Sequence, residues 1–174
     1  IKEISKKLVA VLEEYDIDPY SVCDLLKAFE TDSTFSPFST WSDLVNYCSY
    51  SANPVGRFLL ATVGLNKKVH EKDKAEFTEL SDKICTGLQL INFAQDIKED
   101  AENNRCYVPK SEWPKSLEEN NLISVSRLTG KNKNKLVMQL VVKGEQNLLT
   151  GSLLPRKIRK SKLRYATRFS MEIA

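Results

Sequence analysis

The segment CTGLQLINFAQDIKED, residues 85–100, decides how the rest of this chain is interpreted. With a rotation of about 100° per residue and Asn92 placed at zero, its amides and carboxylates fall on one narrow stripe of a helix. The stripe contains Gln89, Asn92, Asp96 and Asp100. Nearly all of the remaining circumference is apolar, which is typical of a buried helix. We therefore predict one long helix from Asp73 to about Asp100, with its polar stripe facing a cavity.

Two carboxylates one turn apart on a buried helix need a neutralising partner. Partly desolvated, Asp96 and Asp100 would destabilise the fold unless protons, basic side chains or a metal ion offset their charge. Mg²⁺ commonly binds one or two carboxylates together with the phosphates of a ligand. The pattern therefore predicts Mg²⁺, as two ions or one ion at each end of the stripe, and a diphosphate-bearing substrate at Asn92, Asp96 and Asp100. Lys98, Arg105 and Tyr107 are predicted to contact the same phosphates. Ion pairs with a neighbouring helix are the alternative, since such networks imitate functional sites.

A second segment, YCSYSANPVGR at residues 47–57, combines small residues with a proline. Small side chains on a helix otherwise bordered by large apolar residues allow a neighbouring backbone or an elongated ligand to come close. Pro54 removes a backbone donor, so the helix expected from Trp41 to about Val63 should be kinked. Beside the polar stripe, such a helix would line an apolar tunnel. Close helix packing around the kink is the simpler interpretation.

Composition limits the class of protein. The 174 residues include 26 basic and 23 acidic side chains, and the net charge of +3 is too small to indicate nucleic-acid binding. Six glycines and six prolines are few enough to favour an all-α fold, and the length favours one domain over 1–174. The four cysteines form no CxxC pair, which is typical of reduced structural thiols in a cytoplasmic protein.

The remaining helices and loops are predicted from the apolar periodicity and from residues that end or start helices. We expect a first helix that ends near Asp16 to Pro19, a short helix over Ser21–Phe29 and a loop over Thr31–Thr40. A loop over Pro109–Pro114 should lead to a short helix capped by Ser116. After a polar break at residues 130–135, two helices are expected over residues 136–149 and 157–174.

The two segments, YCSYSANPVGR and SDKICTGLQLINFAQDIKEDAENNRCYVP, resemble the squalene and phytoene synthase family of head-to-head prenyl-transferring enzymes. The motif SANPVGR most resembles that of hydroxysqualene synthases of bacterial hopanoid pathways. The resemblance implies an isoprenoid synthase fold, with antiparallel helices around a central apolar cavity. It also implies a reaction in which presqualene diphosphate loses its diphosphate with the help of Mg²⁺ and water captures the resulting cation as hydroxysqualene.

The resemblance assigns roles to individual residues. Asn92, Asp96 and Asp100 match the second aspartate-rich motif, which binds Mg²⁺ and the substrate diphosphate, and Arg105 and Tyr107 match the Arg-x-Tyr element that follows it. The positions that match the polar and apolar lining of the substrate pocket are Tyr47, Ala52, Val55, Gly56 and Gln89. The candidate catalytic residues are Asp96, Asp100, Arg105 and Tyr107, and Arg105 is also a candidate substrate-binding residue.

The chain departs from the family pattern in two places. The first aspartate-rich motif of the family has no counterpart, because Asp24 and Asp32 stand alone. Asn104 replaces the glycine that usually precedes the arginine. Since the sequence begins and ends within helical patterns, we expect a fragment truncated at both ends that is inactive alone on presqualene diphosphate.

Several alternatives remain open at this point. Within the family, they are presqualene diphosphate synthase, phytoene synthase and a non-catalytic member that acts as an assembly or binding protein. Residues 155–168 contain seven basic side chains and no acidic one, a pattern usually found on a solvated helix face. A second interpretation is contact with anionic lipid, which would place a cytoplasmic enzyme at the periphery of the inner membrane.

Overall fold

The computed structural model describes residues 2–62, 71–120 and 122–158. Within these ranges the helices are α1 (Lys2–Tyr15), α2 (Tyr20–Ser33), α3 (Trp41–Ser51), α4 (Asn53–Thr62), α5 (Glu71–Glu102), α6 (Gly130–Gly151) and α7 (Leu154–Lys157). Short 3-10 turns cover Lys110–Glu112 and Val125–Arg127. The strands β1 (Glu118–Glu119) and β2 (Leu122–Ile123) form a small antiparallel ribbon. Apart from this ribbon the described chain is all-α, as the sequence predicts.

The long helix α5 is the centre of the fold. It packs most extensively against α6, and α4 and α3 cover further parts of its apolar surface. Gly87 on α5 faces Gly144 on α6, where a Cβ on Gly87 would lie 2.9 Å from the Gly144 carbonyl oxygen. The two helix backbones therefore approach so closely here that only glycine fits at these positions. Leu90, Leu136 and Leu140 fill the core beside this contact.

The helix α2 is longer than its sequence suggests, because it includes the first residues of the predicted loop. The hydroxyl of Thr31 donates to the Lys27 carbonyl oxygen at 2.8 Å, and the hydroxyl of Ser33 donates to that of Glu30 at 2.7 Å. Hydroxyl side chains that bond back to their own helix are compatible with helical backbone. As a result Asp32 lies on the last turn of α2 instead of in a loop.

The predicted kink between residues 41 and 63 is confirmed as a break between α3 and α4. Thr40 and Asp43 form a reciprocal capping box that starts α3. The helix ends at Ala52, whose φ and ψ of −123° and −47° depart from helical values. Pro54 follows in the first turn of α4, where a missing backbone N–H costs no helical hydrogen bond.

Two predicted elements are wrong. The short helix after Ser116 is the β1–β2 ribbon, whose turn begins with Asn120 at a φ of 49°. Asparagine adopts this left-handed conformation more readily than most residues, so Asn120 favours a turn here. The polar break at residues 130–135 is the start of α6, since its lysine and asparagine side chains extend from the helix without interrupting it.

The four cysteines are free, as predicted. Burial raises the pKa of the Cys48 and Cys106 thiols to about 12, so both remain protonated at neutral pH. Among the described residues no helix has the length and apolar composition needed to cross a bilayer. Residues 155–158 of the basic stretch are described, and α7 ends there at Lys157. The rest of the predicted final helix and of the basic stretch lies beyond Ile158, outside the described residues, so lipid contact there stays a prediction.

Candidate functional site

The polar stripe of α5 is present as predicted. The amide of Asn92 donates to Asp96 Oδ2 at 3.1 Å, across one turn of the helix. Asn92 is exposed, and Asp96 and Asp100 are half-buried. Because the packed helices cover the apolar faces of α5, the stripe lies at the surface of the described fold. That the stripe faces the cavity of the fold stays a prediction, because the burial of these side chains is given only by the described residues.

Asp100 has the most perturbed carboxyl group of the stripe. Burial, and secondarily the negative charge of Asp96, raises the pKa of Asp100 from 3.8 to about 6, although Arg105 opposes the shift. Within the described ranges neither Asp96 nor Asp100 forms a salt bridge. The alternative of a stripe neutralised by ion pairs thus receives no support from the described part of the chain.

This pair of carboxylates could hold a hard cation. Carboxylate and amide oxygens are suitable ligands for Mg²⁺, which usually retains waters and binds only one or two protein carboxylates. Across residues 2–62, 71–120 and 122–158, no group of three or more His, Cys, Asp or Glu side chains is arranged to hold a metal ion. A metal ion at Asp96 and Asp100 stays a prediction.

The end of α5 brings Arg105 and Tyr107 back toward this pair. The backbone N–H of Arg105 donates to the Asp100 carbonyl oxygen at 2.8 Å, and Asn104 has a φ of 56°. A left-handed residue followed by such a bond is a common way to end a helix, and glycine adopts it without strain. Asparagine is among the few other residues that tolerate it. Asn104 can therefore replace the glycine of the family pattern.

Asp32, which the sequence analysis left alone, accepts hydrogen bonds from two of the predicted site residues. The Tyr47 hydroxyl lies 2.8 Å from Asp32 Oδ1 and 2.9 Å from Oδ2 and shares its one proton between them, and the Tyr107 hydroxyl donates to Oδ1 at 3.2 Å. Arg105 Nη2 donates to the Asp32 carbonyl oxygen at 3.2 Å. The only sequence signal for Asp32 is its position one turn after Ala28, a buried residue of α2.

Both tyrosines belong to a buried aromatic cluster. Phe93 and Tyr107 are stacked with ring centroids 3.9 Å apart, and Phe38 and Tyr107 lie 5.2 Å and 5.8 Å from the Tyr47 ring. Burial is the first cause that raises the pKa of Tyr107 to about 12, and Asp32 adds to it. Burial and Asp32 also raise the pKa of Tyr47 far above its usual value. Both phenols are therefore neutral donors at physiological pH.

The remaining candidate residues lie around the break between α3 and α4. Ala52 and Gly56 are buried, Val55 is 50% exposed and Gln89 is half-buried. A Cβ on Gly56 would lie 2.6 Å from Cys85 Sγ, so this glycine permits close packing of α4 on α5. Their role in a substrate pocket stays a prediction, because the described contacts are those of helix packing.

Two further residues of the SANPVGR phrase have structural partners that the sequence analysis did not anticipate. The buried Asn53 accepts a hydrogen bond from the Thr86 hydroxyl at 3.0 Å. Arg57 binds Asp82 with two hydrogen bonds, of 3.0 Å from Nε and 2.6 Å from Nη2. Both pairs attach α4 to α5, which holds the kinked helix in place beside the polar stripe.

An open groove of about 670 Å³ follows the contact between α5 and α6. Its lining is largely apolar and comprises Ile91, Val141, Val142, Glu145, Gln146, Leu148, Leu149 and Ser152. None of the predicted pocket residues belongs to this lining. The groove is therefore separate from the pocket that the sequence predicts.

A sequence model described as squalene/phytoene synthase matches residues 2–174. The chain belongs to the squalene/phytoene synthase family. Squalene/phytoene synthases that resemble it include the hydroxysqualene synthase of Sinorhizobium fredii, 38% identical over 59% of this chain and 33% of the relative. The hydroxysqualene synthase of Zymomonas mobilis is 41% identical over 49% of this chain and 27% of the relative.

A solved structure of the same family has a similar fold. The squalene synthase HpnC from Alicyclobacillus acidocaldarius is 25% identical, with a TM-score of 0.75 over 92% of this chain and 58% of that one. This similarity confirms the expected isoprenoid synthase fold. The aligned regions span about a third of the two curated relatives and more than half of the solved synthase.

Proposed function

We propose that this chain forms the diphosphate-binding part of a hydroxysqualene synthase, which converts presqualene diphosphate to hydroxysqualene. The observation that carries the proposal is the pair Asp96 and Asp100, half-buried on one face of α5 without a described ion pair. The similarity of the chain to two hydroxysqualene synthases favours this branch of the family.

The chemistry begins with cleavage of a carbon–oxygen bond, whose electron pair leaves with the diphosphate. Mg²⁺, when bound, supplies positive charge that stabilises this leaving group. Asn92, Asp96 and Asp100 span about 12 Å of the helix axis, too far to bind one ion together, so they would hold two ions or one ion at either end of the stripe. The guanidinium of Arg105 would donate to the diphosphate oxygens. The remaining cyclopropylcarbinyl cation rearranges, and water adds to it and releases a proton to give hydroxysqualene.

A carbocation also requires surroundings that do not attack it too early. The hydroxyls of Tyr47 and Tyr107 are directed at Asp32, and their raised pKa keeps them protonated. Neutral phenols are weaker nucleophiles than phenolates, so the two rings can stand near the cation without reacting. We therefore propose that these two buried rings close one side of the site without reacting with the cation.

The direct test is turnover of presqualene diphosphate with Mg²⁺ by a protein of the relatives' full length that contains this chain, because these 174 residues alone are expected to be inactive. The products are identified by mass spectrometry. We expect hydroxysqualene, its loss when a chelator removes the metal, and at least a hundredfold lower kcat in Asp96→Asn and Asp100→Asn, because removing one stabiliser of developing charge costs about 10²–10³. Glu99→Gln is the matched control, since Glu99 is exposed on the same helix.

Other products would contradict this assignment in distinct ways. Formation of presqualene diphosphate or phytoene from other prenyl diphosphates would identify the alternative family activities. Absence of turnover, together with no rise in thermal stability on addition of Mg²⁺ and inorganic diphosphate, would favour a non-catalytic member. A ligand that binds only the folded state must raise that stability, so this second measurement does not depend on turnover.

A further inference from the structure

We propose that Asp32 is a positioning residue of the active site, whose carboxylate holds the hydroxyls of Tyr47 and Tyr107 and thereby fixes both rings. The proposal rests on the function proposed above. It concerns a residue outside the aspartate-rich stripe. Asp32 acts through the two tyrosines and is not assigned any contact with substrate.

Asp32 joins three segments that are distant in the chain. Tyr47 lies on α3, Tyr107 lies after the end of α5, and Asp32 ends α2, so one carboxylate receives donors that are 15 and 75 residues away. Arg105 adds a bond from Nη2 to the backbone oxygen of the same residue at 3.2 Å. The position of Arg105 and the orientation of both phenols therefore depend on the last turn of α2.

The hydrogen bonds from Tyr47 and Tyr107 to Asp32 fix the orientation of both rings and leave the carboxylate with few free acceptor sites. A phenol has one proton, and a hydroxyl that donates to a carboxylate has no second proton for another acceptor. Charge-assisted bonds of this kind are stronger than bonds between neutral groups, so they hold the rings in one orientation. The two phenol donors also cover an anionic oxygen that would otherwise be available to attack a carbocation.

A direct role in binding diphosphate is disfavoured for Asp32. Its charge has the same sign as that of a diphosphate, and it already adds to the negative environment that raises the pKa of Asp100. Like charges at short range weaken binding, whereas a carboxylate committed to two donors is partly compensated. Asp32 is therefore better suited to orienting the tyrosines than to contacting the substrate.

The test compares Asp32→Asn with Glu30→Gln in the whole protein, using presqualene diphosphate and Mg²⁺. Glu30 is an exposed acid on the same helix and provides the matched loss of one charge. We expect Asp32→Asn to lower kcat by about 10- to 100-fold, the range for a residue that orients active-site groups, while KM changes little. Glu30→Gln should retain wild-type kcat.

A double-variant comparison separates positioning from a general loss of stability. Tyr47→Phe combined with Tyr107→Phe removes both hydroxyls, and Asp32→Asn should then lower kcat far less than it does in the wild type. If Asp32→Asn fails to fold, the same tyrosine double variant still has to show the loss of kcat. Independent, multiplicative effects of the three substitutions would overturn the proposal.

A spectroscopic measurement distinguishes failure of this proposal from failure of the proposed function. In protein labelled with ¹³C at tyrosine Cζ, Asp32→Asn should shift the Tyr47 and Tyr107 signals, and Glu30→Gln should shift neither. Unmoved signals would overturn the role of Asp32 whether or not the enzyme is active. An active wild type with unchanged kcat in Asp32→Asn would overturn this proposal alone, whereas an inactive wild type would overturn the proposed function and this role with it.

Discussion

The backbone N–H of Arg105 donates to the carbonyl oxygen of Asp100 at 2.8 Å. This bond closes the end of α5 immediately after the candidate metal-binding pair. It sends the chain back toward α2, where Arg105 and Tyr107 meet Asp32. The candidate ligands for metal and for phosphate are therefore connected by one helix terminus, so the geometry of that terminus affects both.

The left-handed conformation of Asn104 gives the first prediction. Replacing Asn104 with Val should lower the free energy of unfolding by about 1–2 kcal/mol, because a β-branched residue is strained at a φ of 56°. Asn104→Gly is the control and should be as stable as the wild type or more stable. Urea unfolding measures both variants, and a Val variant as stable as Asn104 would contradict the assigned conformation.

The second prediction concerns the pH dependence of stability. Because the pKa of Asp100 rises from 3.8 to about 6 on folding, the folded state retains a proton between these values that the unfolded state releases. Without metal, the contribution of Asp100 to stability is therefore present at low pH and decreases as the pH rises through this window. Asp100→Asn should remove this decrease.

Chemical unfolding at a series of pH values tests whether the contribution of Asp100 to stability decreases as the pH rises. The difference in unfolding free energy between Asp100→Asn and the wild type should grow in favour of the variant from pH 4 to 6, the window given by the pKa of Asp100. A difference that shrinks over the same range would mean that the pKa of Asp100 is lowered by folding. Asp100 would then have a compensating cation close by.

The buried pair Asn53 and Thr86 gives the third prediction. Thr86→Val keeps the shape of the side chain but leaves Asn53 Oδ1 without its hydroxyl donor, at a cost of about 1–3 kcal/mol. Thr78→Val is the matched control on the same helix, since the hydroxyl of Thr78 donates to the Lys74 carbonyl oxygen of its own helix at 2.9 Å. Thermal unfolding should separate the two variants, and equal losses would argue against the Asn53 bond.

The close approach at Gly56 gives the fourth prediction. Gly56→Ala should destabilise the protein by about 1–3 kcal/mol, because the new Cβ would overlap the side chains of Ser81 and Cys85. Introducing Ser81→Ala and Cys85→Ala first removes both obstructing atoms, so Gly56→Ala should cost much less in that background. An equal cost in both backgrounds would place the constraint in the backbone of α4 instead.

Local sequence was sufficient for the elements whose stability depends on near neighbours. The apolar periodicity around the polar stripe predicted α5, and Pro54 predicted the break between α3 and α4. The ribbon that begins at Glu118 was missed because turn formation by Asn120 competed with an apparent helix cap. A loop was predicted at the last turn of α2, because Thr31 and Ser33 are common in loops; here their hydroxyls instead donate to carbonyl oxygens of the helix.

The sequence alone was enough to predict the long helix with its polar stripe at Asp96 and Asp100, the kink at Pro54 and the family of the chain, because each depends on residues close together in the chain. That Asp32 accepts hydrogen bonds from the hydroxyls of Tyr47 and Tyr107 is visible only in the folded chain. Such contacts join residues far apart in sequence. Their existence depends on how α2, α3 and the end of α5 pack together, which no single segment specifies.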